Sequence, residues 1–306
     1  MSREYAPDHV LVIAIDGVRY DCLQSANTPN IDAVATHGFL VPVQVDARNP
    51  TISGPVWATV AAGVYSDRHL IRSNDFHGHR LEDFPDFISR LQGANPDMNT
   101  MSVALWSPLL KDVDGGPVFA GGGYHPNMGS DVDEDDMDIA AVMDEAVLGH
   151  AGARLLIEDL AVSFVYLESP DAVAHALGTG DRYMRAIERA DEQVGVLLAV
   201  IAARANREAE RWTVIVVTDH GHRDEGGHGA DSAVERTAWI AAQGPGIDEL
   251  VGAAGIDHAD IHPHILGLFG IIPEPEWGLE GVAFGARHAQ IRDLPTAGVS
   301  LGVSLG

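Results

Sequence analysis

The chain has 306 residues, 46% of them apolar, and a mean hydropathy of +0.01, so it can bury a substantial core and is neither disordered nor fibrous. A formal net charge of -26 gives a surface that repels polyanions, which argues against nucleic-acid polymers and anionic membranes as partners; small phosphorylated substrates stay open where a metal reverses the local sign. One cysteine, Cys22, excludes internal disulfides and cysteine metal clusters and reads as a small buried hydrophobe. No basic-then-apolar leader and no apolar run of about 18 residues is found, so a cytoplasmic protein without a membrane span is expected.

The first apolar run, HVLVIAI from His9 to Ile15, reads as a buried strand ending in Asp16-Gly17. Asp-Gly is a common turn pair, and an ordinary turn is the plain reading of Asp16. Thr28-Pro29-Asn30 opens a helix with Thr28 as N-cap, and VPVQVDA from Val41 makes a second strand. Pro55, Val56, Trp57 and Val60 follow a helical pattern from about Gly54, which sets Ser53 at a helix N-terminus. There a serine either caps the helix or acts as a nucleophile favoured by the helix dipole. Asn74 falls in a loop, as a turn residue or a donor to phosphate oxygen.

Residues 76–160 form a variable, substrate-side region: a helix over Phe84–Leu91, a strand over Ser102–Trp106 and a Gly/Pro-rich loop over Asp114–Gly129 are expected. The acid run SDVDEDDMD reads as the solvated first turn of a long helix ending near Leu160. The strand SFVYL, Ser163–Leu167, then runs into ESPDAVAHALGTG, where Asp171 and His175 stand one helical turn apart and can address one ion. Asp181–Val200 is an amphipathic helix. TVIVVTDHGHRDEGGHG follows, a strand breaking into Asp219, His220, His222 and His228. A strand over Thr237–Ala242 comes next, and His258, His262 and His264 lie in a helical run as surface or capping histidines. One catalytic domain over residues 1–290 and a tail over 291–306 are expected.

Apolar strands that end in Asp16, Asp171 and Asp219-His220, separated by helices, argue for an α/β fold with a parallel sheet whose strand tips converge along one edge. That edge would gather Asp16, Ser53, Asp171, His175, Asp219, His220 and His228. Carboxylates and imidazoles without thiolate suit two divalent ions, zinc or, less selectively, manganese. Two such ions form a clamp for in-line displacement at phosphorus.

The chain resembles the alkaline phosphatase superfamily and, within it, the nucleotide pyrophosphatase/phosphodiesterase branch. IDGVRYD is similar to that branch's first metal aspartate motif, and TISGPVWATVAAGVYSDRH to its nucleophile motif. SPDAVAHALG follows its P-D-x-x-x-H-x-x-G element, and TDHG with GGHGADSAVERTAWIAAQGPGI follows its last metal segments. The resemblance implies an alkaline-phosphatase-like three-layer sandwich. It implies one ion at Asp16, Ser53, Asp219 and His220 and another at Asp171, His175 and His228, with Ser53 as nucleophile. Asn74 and the backbone N–H after Ser53 would hold the phosphoryl oxygens, and His222 would be a bystander. Gly54 stands where the branch commonly has an aromatic residue, and Ser53-Gly54-Pro55-Val56-Trp57 lacks the arginine of the sulfatase motif, which disfavours a sulfatase. The implied activity is phosphodiester hydrolysis of a small phosphorylated substrate through a phosphoserine. A phosphomonoesterase, with Arg72 and Arg80 as a charge clamp, a phosphonate hydrolase and a non-catalytic metal-binding protein are the alternatives.

Overall fold

Six apolar segments become strands of one sheet: β1 Asp8–Ile15, β2 Gly38–Gln44, β3 Thr100–Ala104, β4 Val162–Leu167, β5 Arg211–Val217 and β6 Thr237–Gln243. Their order across the sheet is β2-β6-β5-β1-β4-β3. The computed structural model describes residues 8–126, 136–245, 247 and 255–284. The stretch from β5 through β1 and β4 to β3 is parallel, and β6 and β2 add antiparallel pairs at one side. Residues 10–15, 162–167 and 212–217 are fully or almost fully buried, as the continuous apolar runs require of strands covered on both faces.

The helices are α1 Tyr20–Ser25, α2 Pro29–Thr36, α3 Ser53–Ala62, α4 Ser66–His69, α5 Phe87–Ala94, α6 Met137–Ile157, α7 Ser169–Leu177, α8 Asp181–Ala202, α9 Ala233–Arg236 and α10 Ile261–Leu268. They pack as two groups: α2, α6, α7 and α8 touch one another, as do α3, α4, α5 and α10. Phe164 and Tyr166 lie two apart on β4 and so share a face, and both meet the Trp57 ring of α3 edge-on. The architecture is an alkaline-phosphatase-like α/β sandwich of three layers with a mostly parallel sheet.

Helix ends differ in detail from expectation. Thr28 stands before α2 but its side chain makes no cap; the first amides of α2, at Asn30 and Ile31, donate instead to Asp191 of α8, at 3.1 and 2.7 Å. Asp136, the first described residue of the acid run, caps α6 by accepting from Asp138 and Ile139 N–H; residues 130–135 of that run, and the tail over 291–306, lie outside the described residues. Cys22 is half-buried and packs against the core.

The register sets the site. Ile15 pairs with Leu167 and Ala14 with Val217, so the carboxyl ends of β1, β4 and β5 lie level at the centre of the sheet. Asp16, the start of α7 and Thr218-Asp219 leave from that one edge, the place where open α/β sheets hold ligands.

Candidate active site

Asp16 is wholly buried, and its amide continues the β1–β4 ladder to Leu167 at 3.0 Å. Its Oδ2 accepts from Trp57 Nε1 at 2.9 Å and from the Tyr166 hydroxyl at 2.6 Å, while Oδ1 makes no hydrogen bond. Asp219, equally buried, accepts through Oδ1 from the amides of Gly17 and His220, and its Oδ2 is unpartnered. Both orphan oxygens face one nitrogen: His220 Nε2 is 3.7 Å from Asp16 Oδ1 and 3.3 Å from Asp219 Oδ2. His220 Nδ1 addresses the Gly221 carbonyl at 3.2 Å, which leaves the Nε2 lone pair turned inward.

Such a grouping is electrostatically incomplete. Burial, then the charge of Asp171, pushes the Asp16 carboxyl up to about 7. Burial and Asp16 raise Asp219 well above the carboxylate range, and burial with His228 lowers His220 far below the usual imidazole value. Buried polar atoms normally find partners, and two that do not, aimed at one point with an unprotonated imidazole, fit a divalent cation.

A second group lies beside it. Asp171 and His175 project from successive turns of α7, His175 Nε2 standing 3.4 Å from Asp171 Oδ2 and 3.0 Å from His228 Nε2. His228 donates Nδ1–H to the Thr51 carbonyl at 2.8 Å, so its Nε2 faces the site unprotonated. Thr51 fastens the same loop again, accepting from Gly229 N–H and donating to the Ala230 carbonyl. Burial would raise Asp171, but the hydrogen bond from His222 and the nearby imidazoles outweigh it and hold the carboxyl below the usual range. The amides of Glu168 and Ser169 at the start of α7 donate to buried Asp144, at 3.0 and 2.9 Å, which fixes the helix that delivers Asp171.

Ser53 is the first residue of α3 and makes no cap; its Oγ lies 3.3 Å from His220 Nε2. It opens on a cavity of about 550 Å³ whose wall includes Asn74, Trp106, Tyr166, Glu168, His175 and His228. Gly54 N–H donates to Asn74 Oδ1 at 2.9 Å. The backbone N–H after Ser53, expected to hold a phosphoryl oxygen, is therefore already engaged; it orients the Asn74 amide, whose NH2 is the end that can donate. Gly54 also permits a close approach: a Cβ there would lie 2.7 Å from the Ser73 carbonyl.

The structure thus gathers Asp16, Asp219 and His220, with Ser53 next to His220, and Asp171, His175, His222 and His228 beside them; within each carboxylate–imidazole group the possible ligand atoms lie within 4.8 Å of one another. His222, expected to be a bystander, is fully buried in the second group with Nε2 2.7 Å from Asp171 Oδ1. His258, His262 and His264 are buried, not surface residues. His258 Nε2 contacts the Thr218 carbonyl behind Asp219 at 2.8 Å, and His262 Nδ1 the Ala61 carbonyl of α3 at 2.5 Å. Arg72 and Arg80 are exposed, and Arg80 Nε is taken by Asp83 at 2.8 Å. Arg19 clasps the histidine loop to the β1 exit, donating to Asp224, to the His222 carbonyl at 3.3 Å and to Asp21. The supports at Trp57 and Tyr166 had a sequence signal: Trp57 lies one helical turn after Ser53, and Tyr166 two residues after Phe164 on β4.

Residues 10–266 match the family described as type I phosphodiesterase / nucleotide pyrophosphatase. The chain belongs to this family. Among its relatives, human ectonucleotide pyrophosphatase/phosphodiesterase family member 7 is 25% identical over 233 residues, covering 72% of this chain and 49% of the relative. Bis(5'-adenosyl)-triphosphatase ENPP4 of Bos taurus is 25% identical over 227 residues, with 72% and 49% covered. The chain spans about half the length of the relatives it matches. In fold it is similar to BT1596, a 2-O GAG sulfatase, with a TM-score of 0.70 at 16% identity over 90% of this chain and 73% of that one. It is likewise similar to the phosphonate monoester hydrolase SpPMH from Silicibacter pomeroyi, with a TM-score of 0.64 at 15% identity over 95% and 78%. The type I phosphodiesterase family assignment agrees with Trp57, bonded to Asp16, standing where a sulfatase motif carries arginine. Among the described residues of this family member no helix is long and apolar enough to cross a membrane.

Proposed function

We propose that the protein hydrolyses a phosphodiester or pyrophosphate bond of a small substrate through a covalent phosphoserine at Ser53. Two divalent cations would be held, one by Asp16, Ser53, Asp219 and His220, the other by Asp171, His175 and His228. The observation that carries the reading is Ser53 Oγ at the cavity wall, 3.3 Å from His220 Nε2 and first in α3, where the amide dipoles favour an oxyanion. Carboxylate and imidazole donors without thiolate favour zinc, with manganese next. When bound, the cations supply charge neutralisation to the phosphoryl group and acidify the hydroxyl beside them.

The chain's own residues do the rest. Ser53 Oγ loses its proton to solvent and bonds to phosphorus as the bond from phosphorus to the leaving oxygen breaks, that oxygen taking up a proton. Asn74 donates its NH2 to a nonbridging oxygen. Water then attacks the phosphoserine from the vacated side; its oxygen bonds to phosphorus, the Ser53 Oγ–P bond breaks, and the serine hydroxyl is restored.

A diester is favoured over a monoester on charge. A monoester dianion calls for an added cationic clamp, whereas Arg72 and Arg80 are exposed and the described cavity wall contains neither lysine nor arginine. The relatives, an ectonucleotide pyrophosphatase/phosphodiesterase and a bis(5'-adenosyl)-triphosphatase, support the same choice. The test is turnover of bis-p-nitrophenyl phosphate, p-nitrophenyl phosphate, dinucleoside polyphosphates and phosphonoacetate by wild type and Ser53→Ala. Diester turnover that collapses in Ser53→Ala is the expected result. Full activity of that variant removes the phosphoserine, and preference for p-nitrophenyl phosphate or phosphonoacetate reassigns the substrate. Fewer than about one bound ion per chain after zinc loading would sink the two-cation reading, whereas bound ions without turnover of any of these substrates would favour a non-catalytic metal-binding protein.

A further inference from the structure

We infer that His222 is a positioning residue for the cation site at Asp171, His175 and His228: its Nε2–H donates to Asp171 Oδ1 and presents Oδ2 to the ion, while His222 stays outside the coordination sphere. The inference rests on the two-cation reading above.

The ring nitrogens distinguish His222 from its neighbours. A histidine that ligates through one nitrogen generally donates the other N–H to a carbonyl or carboxylate. His220 and His228 follow this rule, their Nδ1 atoms meeting the carbonyls of Gly221 and Thr51 at 3.2 and 2.8 Å. His222 Nδ1 is buried and makes no hydrogen bond among the described residues. Ligation through Nε2 would force the proton onto Nδ1 and leave a buried N–H unsatisfied. With the proton on Nε2, Asp171 receives it, and only a weak acceptor lacks a partner.

Distance gives the same answer. Two ligand atoms on one tetrahedral zinc, each about 2.05 Å from it, stand about 3.3 Å apart. Asp171 Oδ2 and His175 Nε2 do so at 3.4 Å, whereas Asp171 Oδ1 and His222 Nε2 are 2.7 Å apart, the length of a charge-assisted hydrogen bond. The β1 exit closes over this bond. Gly17 has φ +65°, and a Cβ there would lie 2.6 Å from both Asp171 Oδ1 and His222 Nε2, so Oδ1 is walled off and Oδ2 is the oxygen left to an ion. Three protein ligands keep a coordination position open for a substrate oxygen; a fourth would close the site.

The test uses the full chain as wild type, His222→Gln and His222→Leu. Zinc stoichiometry is read by elemental analysis, affinity by competition with a chromophoric chelator, and ligand set by the visible spectrum of the cobalt(II)-loaded protein. Glutamine keeps an N–H donor near the position of Nε2; leucine fills the space without one. Wild type and both variants should bind two ions at saturation, with one site of His222→Leu weakened roughly 10- to 100-fold. His222→Gln should recover most of that loss and keep the wild-type cobalt spectrum. A His222→Gln protein that loses an ion or changes its cobalt spectrum makes His222 a ligand and overturns the inference, as does a His222→Leu protein of wild-type affinity. If His222→Leu does not fold, the His222→Gln arm decides alone. Fewer than two ions on wild type overturns the two-cation reading itself, and a normal wild type with unaffected variants overturns only the role of His222.

Discussion

Trp57 donates its indole N–H to Asp16 Oδ2 across 2.9 Å, so the helix that carries Ser53 also fixes the carboxylate at the end of β1. Ser53 and Trp57 are four residues apart on α3 and share a face. Trp57→Phe keeps most of the bulk and removes the donor. A hydrogen bond to a charged group is worth about 1.5–3 kcal/mol, so roughly a 10- to 100-fold loss in kcat/KM is expected. A fall in zinc affinity should accompany it, Tyr166→Phe should behave similarly, and unchanged kinetics and affinity in both would show that Asp16 needs neither support.

Chelation should make stability depend on pH in a defined direction. Asp16 rises from 3.8 unfolded to about 7 in the folded protein. The folded state then holds more protons than the unfolded state in that window, so the chelated protein loses stability as pH rises through it. Metal-loaded protein, with the carboxylate already ionised, should lack this slope. Melting curves from pH 4 to 7.5 with EDTA and with zinc check it. Zinc titration at pH 6 should also release protons, seen as a heat that depends on the ionisation enthalpy of the buffer.

His262 predicts an opposite slope. Burial lowers this imidazole from 6.5 to about 3, so below pH 6.5 the unfolded chain takes up a proton that the folded chain refuses, and stability falls with pH until about 3. Between pH 7 and 5 the wild type should lose about 2 kcal/mol relative to His262→Gln. Denaturant titrations of both proteins at the two pH values measure the gap, and a gap independent of pH contradicts the assignment.

Gly54→Ala tests the seat of Asn74. The added methyl would meet the Ser73 carbonyl at 2.7 Å and Asn74 Oδ1 at 3.1 Å, so the loop must yield and the amide must move. Turnover should fall by about 10-fold or more, as for loss of an oxyanion donor. Cation content should stay at the wild-type level, since the atoms nearest the added methyl, on Ser73, Asn74 and Phe76, belong to no cation group. Wild-type turnover would mean that the loop gives way without cost.

The sheet and its carboxyl edge were legible because buried strands are written as continuous apolar runs and their ends as abrupt changes of chemistry, at Asp16, Glu168-Ser169 and Asp219. The ends of α2 were less so, because Asp191, which takes its first amides, lies on α8. His222 looked like a loop histidine, since its partner Asp171 is remote in sequence and meets it only when β4 and β5 flank β1. The histidines of 258–264 looked exposed because nothing in their own helix shows what covers it. Residues 280–284 do so: Glu280 N–H donates to the Gly63 carbonyl, Val282 N–H to Asp260, and Phe284 stacks on His264 at 4.2 Å. The engagement of the Gly54 amide was hidden for a similar reason, its acceptor being a side chain across a loop.

The Arg19 clasp carries a consequence for how the protein is made. Arg19, next to the β1 exit, holds a loop more than 200 residues later in the chain, and the candidate cation groups run from Asp16 beside it through Ser53, Asp171 and His175 to that loop. During synthesis Asp16 emerges first and has no companions; the Asp171–His175 pair follows, still lacking its third donor. Only when β5 inserts beside β1 do His220 and His228 arrive. On the two-cation reading, cation capture is therefore the last event of assembly, unlike a zinc finger, in which metal nucleates the fold. A truncated or half-translated chain offers zinc only weak, incomplete chelates, and tight binding becomes a report that the central sheet has closed.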